Sequence, residues 1–265
     1  MKNKLKKLKK ISKSGKKKKI KKLSKKKSGK KKSNNDERIS SGIEDFDKLV
    51  EGGFDKGSVN MVVGDSGSGK TIFAMQFLIG GLEKGEKCLF VTFEEKKEEF
   101  YKNMMDFGWD LKKYEQEGKF FFLEYNPEKV KSMIEEGGGE IENIVLRYKV
   151  SRLAIDSITS FALLFEEELE KREAALNLFD IIRKWDVTAI LTLQEDPKNR
   201  TGVSSSLEFE TDSIILIYYI RENKKRERFI EILKMRGTKH SNEIHALEIS
   251  KRGFSVEKEI YKGNI

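Results

Sequence analysis

The chain has 265 residues, with 54 lysines and arginines against 44 acidic residues, which gives a formal net charge of +10. Residues 1–35 hold 19 lysines, no arginine and no acid, so the other 230 residues carry 35 bases and 44 acids, a net charge of −9. This acidic balance argues against a fold built around a basic groove, and the single Cys88 excludes a disulfide framework and favours a reducing, cytoplasmic compartment. No apolar run is long enough for a membrane helix.

Residues 1–35 are predicted to be a disordered tail, and residues 36–265 a single domain. The composition of the tail does not provide enough apolar surface to order it. Its few leucines and isoleucines have loose helical spacing, so a basic amphipathic helix on an anionic surface is one interpretation. Binding to a nucleic-acid backbone, binding to an acidic membrane, solubility alone and a start codon placed too early in the gene also remain open.

From Arg38 onward, short apolar strands alternate with amphipathic helices. This alternation predicts an α/β fold whose mostly parallel sheet is covered by helices on both faces. The predicted strands are 58–63, 87–93, 119–124, 152–155 and 187–193, and the predicted helices are 70–83, 96–107, 110–117, 127–135, 140–149 and 167–185.

The pattern changes after Thr211, where strands follow one another with hardly any helix between them. Strands are predicted at 213–220, 227–234, 244–250 and 253–256, with a hairpin turn at Arg252-Gly253. The C-terminal part is therefore expected to extend the sheet in an antiparallel manner.

A phosphate-binding loop is predicted between the strand at 58–63 and the helix at 70–83. The loop fits the pattern G-x-x-x-x-G-K-[ST], and its context between a buried strand and a helix supports the match. Its backbone N–H groups would face the phosphates, its lysine would reach the β- and γ-oxygens, and its threonine hydroxyl would bind Mg²⁺. The eight residues are Gly64, Asp65, Ser66, Gly67, Ser68, Gly69, Lys70 and Thr71.

Phosphoryl transfer also needs a second carboxylate for Mg²⁺ and a group that positions the attacking water. Asp156 follows the strand 152–155 at the sheet edge where open α/β folds bind ligands, although it could instead cap the next helix. Glu94 and Glu95 end another strand and are candidates for polarising water, or they begin a solvated helix. Gln194 ends a third strand as a candidate γ-phosphate sensor, or as a polar residue that faces solvent.

The chain resembles the KaiC-like branch of the RecA-type ATPases over about residues 36–260. The resemblance rests on ISSGIEDFDKLVEGGFDKGSV, GDSGSGKT, FVTFEE, RLAIDS and LKMRGTKH. It implies a RecA-like P-loop NTPase core and ATP hydrolysis with Mg²⁺.

The family's KMRGT segment places a lysine and an arginine at the γ-phosphate of the neighbouring subunit in a hexameric ring. The resemblance therefore implies a homo-hexamer in which Lys234 and Arg236 complete the neighbour's site. It also implies Glu94 as the water activator, and Thr71 with Asp156 as the residues that hold Mg²⁺. No client protein is indicated.

Two features depart from the clock proteins of this family. Those proteins carry two such domains, whereas this chain has one. Their autophosphorylated Ser-Thr pair falls near Glu208-Phe209, so self-phosphorylation is not expected.

Two other functions share the same core motifs. A RecA/RadA-like recombination or repair ATPase is favoured by the lysine tail and by residues 197–206, which lie where RecA-type proteins carry a DNA-contacting loop. The acidic core and the KMRGT segment oppose it. The other function is an oligomeric scaffold that ATP stabilises with little or no turnover.

Overall fold

The computed structural model describes residues 37–125, 139–162, 165, 167–199, 207, 210–222 and 224–263. The predicted tail, the predicted helix at 127–135 and residues 200–206 lie outside this part of the chain. Within the described ranges no helix is long and apolar enough to cross a membrane.

The described residues form seven helices and eleven strands. The helices are α1 (Glu44–Leu49), α2 (Lys70–Leu82), α3 (Lys97–Met105), α4 (Leu111–Gln116), α5 (Gly139–Tyr148), α6 (Ile158–Ala162) and α7 (Glu168–Lys184). The strands are β1 (Arg38–Ile39), β2 (Phe54–Asp55), β3 (Val59–Gly64), β4 (Cys88–Thr92), β5 (Phe120–Glu124), β6 (Arg152–Asp156), β7 (Thr188–Gln194), β8 (Ser213–Glu222), β9 (Lys225–Met235), β10 (His245–Ser250) and β11 (Gly253–Ile260).

Nine strands make one sheet in the order β11-β10-β9-β8-β3-β7-β6-β4-β5, and β1 and β2 form a separate antiparallel pair. The neighbours in the run β8-β3-β7-β6-β4-β5 pair in parallel, and the neighbours in the run β11-β10-β9-β8 pair antiparallel. The predicted fold class is therefore confirmed. One detail differs, because β8 pairs in parallel with β3 as well as antiparallel with β9 and so joins the two halves of the sheet.

Helices cover both faces of the parallel strands. On one face, α2 and α3 pack with Phe73, Phe77 and Phe100 against the sheet, and on the other face α7 packs with Phe179 and Ile182. Every residue of β3, β4 and β6 is buried, which explains why these strands read as continuous apolar runs rather than as an alternating pattern.

The parallel register collects one set of strand ends at a single edge of the sheet. Gly64 of β3 lies opposite Gln194 of β7, and Thr92 of β4 lies opposite Asp156 of β6. The carboxyl edge therefore brings together the phosphate-binding loop and the polar residues that follow three other strands.

A buried ion pair fixes the opposite, amino edge. Arg152 donates to both carboxylate oxygens of Glu86 at 2.8 Å, and its third nitrogen donates to the carbonyl oxygens of Ser40 and Phe77. The Arg152 side chain lies so close to α2 that a Cβ added at Gly81 would be 2.5 Å from its Nε. Gly81 therefore makes room for this arginine. The helix ends at Leu82, one residue before the predicted end.

Candidate nucleotide-binding site

The predicted phosphate-binding loop joins β3 to α2 at the carboxyl edge of the sheet. Gly67 and Gly69 both adopt positive φ, at 74° and 106°, a conformation that a larger side chain rarely takes. A Cβ at Gly69 would also lie 2.4 Å from the ring of Phe254. Both the backbone conformation and the lack of space therefore require glycine at this position. The loop thus leads directly into the first turn of α2, whose free N–H groups and helix dipole favour binding of an anion in the loop.

Lys70 is the first residue of α2 and is largely buried. Its Nζ donates to the carbonyl oxygen of Asp65, 2.9 Å away, across the loop. Burial lowers the pKa of Lys70, and the carboxylates of Asp156, Asp65 and Glu94 oppose that shift. A buried ammonium is costly unless it is paired with an opposite charge, so a phosphate that enters the loop would stabilise the charged form of Lys70.

Asp156 accepts two hydrogen bonds that connect it to the loop and to β7. Thr71 Oγ1 donates to its Oδ2 at 2.6 Å, and Thr192 Oγ1 donates to its Oδ1. Burial raises the pKa of Asp156, while the hydroxyls of Thr192 and Thr71 and the charge of Lys70 act in the opposite direction. The carboxylate therefore lies within reach of the predicted phosphate position.

Thr71 and Asp156 suit Mg²⁺ by their chemistry, since both present oxygen atoms and the two side chains already touch. In the described ranges no group of three or more His, Cys, Asp or Glu residues could hold a metal ion by itself.

Glu94 and Glu95 follow β4, and their surroundings differ. The N–H groups of both donate to Thr92 Oγ1, at 3.2 and 3.1 Å, which sets the turn after the strand. Glu94 Oε1 accepts from Ser160 Oγ at 2.6 Å and lies 3.5 Å from Ser157 Oγ. Burial raises the pKa of Glu95, with smaller contributions from neighbouring carboxylates. Glu94 is therefore the carboxylate of the pair that the serine hydroxyls hold in a fixed orientation.

Gln194 lies at the same edge, but its side chain is exposed. Its N–H donates to Thr159 Oγ1 at 2.7 Å, and the next residue, Glu195, donates to the carbonyl oxygen of Gly64 at 3.3 Å. The end of β7 is thus tied both to the phosphate-binding loop and to α6.

The structure adds an arginine clamp on the loop that the sequence analysis missed. Arg228 of β9 donates to the carbonyl oxygens of Ser68 and Gly67 at 3.1 and 2.9 Å. Its guanidinium lies 4.1 Å from the ring centroid of Tyr219, the residue opposite it on β8. Only the register of the β8–β9 hairpin could have revealed this contact, because nothing in the local sequence links the hairpin to the loop.

Lys234 and Arg236 are not part of this group. Lys234 Nζ donates to the carbonyl oxygen of Thr211 at 2.7 Å, and Arg236 Nη1 lies 3.5 Å from Asp212 Oδ1. Arg236 follows β9 directly instead of lying on the strand. Met235 between them is buried.

These two cations lie at the amino edge of the sheet. The backbone N–H of Asp212 donates to the carbonyl oxygen of Val59, the first residue of β3, and Arg236 N–H donates to Asp212. Gly64 lies at the other end of β3, about 16 Å away at the usual rise per residue. The structure therefore separates Lys234 and Arg236 from the phosphate-binding loop of the same chain.

Comparison with known proteins gives a consistent result. The family model described as "ATPase: KaiC" matches residues 39–260. The chain is 36% identical over 232 residues to the circadian clock protein KaiC3 of Synechocystis sp., covering 83% of this chain and 45% of the relative. It is 33% identical over 226 residues to the circadian clock oscillator protein KaiC of Synechococcus elongatus, covering 81% of this chain and 43% of the relative. The chain thus spans less than half the length of these curated relatives.

A solved structure supports the fold over the full length of a shorter protein. The KaiC-like protein of the hyperthermophilic archaeon Pyrococcus horikoshii OT3 aligns with a TM-score of 0.74 and 37% sequence identity. The alignment covers 83% of this chain and 99% of that chain.

We predict that Lys70→Ala abolishes binding of ATP with Mg²⁺, because the Lys70 ammonium is the main positive charge on the β- and γ-phosphates. Calorimetry measures the affinity directly. The matched control is Lys198→Ala, which removes an exposed lysine whose charge also acts on Asp65 and which should bind ATP normally. Near-native affinity of the Lys70→Ala variant would show that the loop is not the nucleotide site.

Proposed function

Because the chain belongs to the KaiC ATPase family, we propose that it binds ATP with Mg²⁺ and hydrolyses it at a site completed by a neighbouring copy. The copies form a homo-hexameric ring in this proposal. The observation that carries it is the position of Lys234 and Arg236, whose contacts with Thr211 and Asp212 hold them at the edge of the sheet opposite the phosphate-binding loop. In a ring with head-to-tail interfaces, that edge can face the loop of the next copy.

The residues at the carboxyl edge of the sheet bind the nucleotide phosphates and the metal ion in this proposal. Lys70 and the backbone N–H groups of the loop bind the phosphates, and Thr71 and Asp156 are the residues that would hold Mg²⁺. The bound metal supplies charge neutralisation at the β- and γ-phosphates. Arg228 restrains the loop from the other side through its carbonyl oxygens.

Glu94 is the base in this proposal. Ser160 and Ser157 both contact Oε1, so we assign Oε2 to the attacking water. The water gives a proton to Glu94 while its oxygen bonds to the γ-phosphorus, and the bond to the β–γ bridging oxygen breaks to release ADP. Gln194, whose backbone pairs with Gly64 of the loop, is the proposed sensor of the γ-phosphate. Lys234 and Arg236 of the neighbouring copy stabilise the charge that develops on the transferred group.

The relatives are named as circadian clock proteins, and we do not propose a circadian role for this chain. The chain corresponds to under half of their length. The position of their autophosphorylated pair, Glu208-Phe209, lies outside the described residues. We therefore propose an ATP-driven switch without self-phosphorylation, in a cytoplasmic setting that the single, buried Cys88 supports.

Binding to nucleic acid or another polyanion is a second proposal, and the lysines of residues 1–35 are the observation that favours it. A recombination ATPase and a non-catalytic scaffold make different predictions for turnover. Single-stranded DNA stimulates hydrolysis by the recombination ATPase, and the scaffold binds ATP without hydrolysing it in single-turnover assays.

We predict that Glu94→Gln retains ATP binding but slows hydrolysis about 10²-fold, the usual contribution of a positioned base. Glu95→Gln is the matched control and should have the smaller effect, because the contacts with Ser160 and Ser157 orient Glu94 and not Glu95. Single-turnover rates at saturating ATP give the comparison. If Glu95→Gln is the damaging change and Glu94→Gln is silent, the roles of the pair are reversed.

We predict that Arg236→Ala binds ATP normally and loses turnover, and that mixing it with Glu94→Gln restores activity. In a randomly mixed ring about a quarter of the interfaces combine an intact Glu94 with an intact Arg236, because each head-to-tail interface takes one residue from each copy. The ATPase rate is measured after subunit exchange has been verified. A mixture that shows only the summed rates of the two variants would place the whole site within one chain.

We predict that deletion of residues 1–33 abolishes binding to DNA and heparin while ATPase activity is unchanged. Binding by the full chain should weaken steeply as salt rises, since each neutralised phosphate releases counterions. Retained DNA affinity in the shortened protein would instead indicate a site in residues 36–265 and favour the recombinase.

A further inference from the structure

Three cationic side chains converge on the short segment 210–212, which leads into β8. Lys234 contacts the carbonyl oxygen of Thr211, Arg236 contacts the carboxylate of Asp212, and Arg183 of α7 donates to the carbonyl oxygen of Glu210. Two of these contacts are to backbone carbonyl oxygens, and the contact of Arg236 is to the side-chain carboxylate of Asp212. The segment therefore holds the two cations assigned to the neighbouring site and adds a third.

Asp212 uses both of its carboxylate oxygens. Oδ1 lies 3.5 Å from Arg236 Nη1, while Oδ2 accepts the N–H of Val59 at 2.9 Å and lies 3.7 Å from Arg183 Nη2. The backbone also takes part, because Arg236 N–H donates to the carbonyl oxygen of Asp212 at 2.8 Å. Asp212 thus contacts both the main chain and the side chain of Arg236 and is itself anchored to β3.

The Asp212–Arg236 ion pair is suited to being exchanged. The Arg236 side chain is 51% exposed and the Asp212 side chain 26% exposed, so water screens the attraction and the pair is weak. A doubly charged phosphate group can therefore compete for the guanidinium. Until it arrives, the carboxylate restricts the many rotamers of an exposed arginine and reduces the entropy lost when the site assembles.

We propose that Asp212 is a positioning residue for Arg236, which it holds ready for the γ-phosphate bound by the neighbouring copy, and that Arg183 supports this carboxylate. The inference rests on the proposed function, since it requires Arg236 to act across an interface. Asp212 cannot act on the phosphates of its own chain by contact, because it lies beside Val59 at the amino edge, about 16 Å from Gly64.

The test is Asp212→Asn in the full-length protein. Asparagine keeps an oxygen that can accept the N–H of Val59 but removes the charge that faces Arg236. We expect kcat to fall about tenfold or more, as orientation is lost, with an unchanged Kd for ATP. The matched control is Asp180→Asn, which removes a charge that faces Arg183 on the exposed side of α7 and should leave kcat unchanged.

Mixing experiments separate positioning of Arg236 from general damage. Asp212→Asn mixed with Glu94→Gln should gain activity, because the Glu94→Gln copies supply an intact Asp212–Arg236 pair to the intact Glu94 of their neighbours. Asp212→Asn mixed with Arg236→Ala should gain none, because every interface then receives a defective arginine.

Two results would overturn the proposal. Wild-type kcat in Asp212→Asn would show that Arg236 needs no positioning, and gained activity with Arg236→Ala would show that Asp212 acts through its own phosphate-binding loop. A failure of Arg236→Ala and Glu94→Gln to complement each other is a different outcome. It removes the shared site itself, and the role of Asp212 falls with it.

Discussion

Strand direction decides where each charged group of this protein can lie. Parallel β3, β4, β6 and β7 all end at one edge, which brings Lys70, Glu94, Asp156 and Gln194 to the phosphate-binding loop. β9 runs in the opposite direction, so a residue that follows it must emerge at the other edge. The sheet therefore splits the predicted catalytic set in two. A closed ring of copies is a simple way to bring the two parts together.

Asp156 connects the phosphate-binding loop to the end of β7 at the carboxyl edge of the sheet. Its two oxygens bind Thr71 of the loop and Thr192 of β7, and its charge acts on Lys70 and on Glu95. Burial raises the pKa of Asp156, and the two hydroxyl donors and the ammonium of Lys70 oppose that shift. A change at Asp156 would therefore disturb the predicted metal ligands, Lys70 and the predicted base together, rather than one contact.

The sequence predicted the fold class, the strand order along the chain and the membership of the family, because buried parallel strands and the phosphate-binding loop are local patterns. It could not predict contacts that depend on register. The hydroxyls of Ser160 and Thr192 and the clamp of Arg228 come from elements that only the folded sheet brings to the site. Nor could it predict that Gly81 makes room for Arg152, a side chain that is distant along the chain. The roles of the individual site residues stay predictions.

We propose that neither edge of the sheet hydrolyses ATP without another copy. The most direct measurement is the ATPase rate per subunit over a range of protein concentrations, with the size of the particles determined at each concentration. We expect the rate per subunit to be near zero for the dissociated chain and to rise in parallel with the fraction of chains in rings. A rate per subunit that stays constant while the rings dissociate would contradict it, because the site would then be complete within one chain.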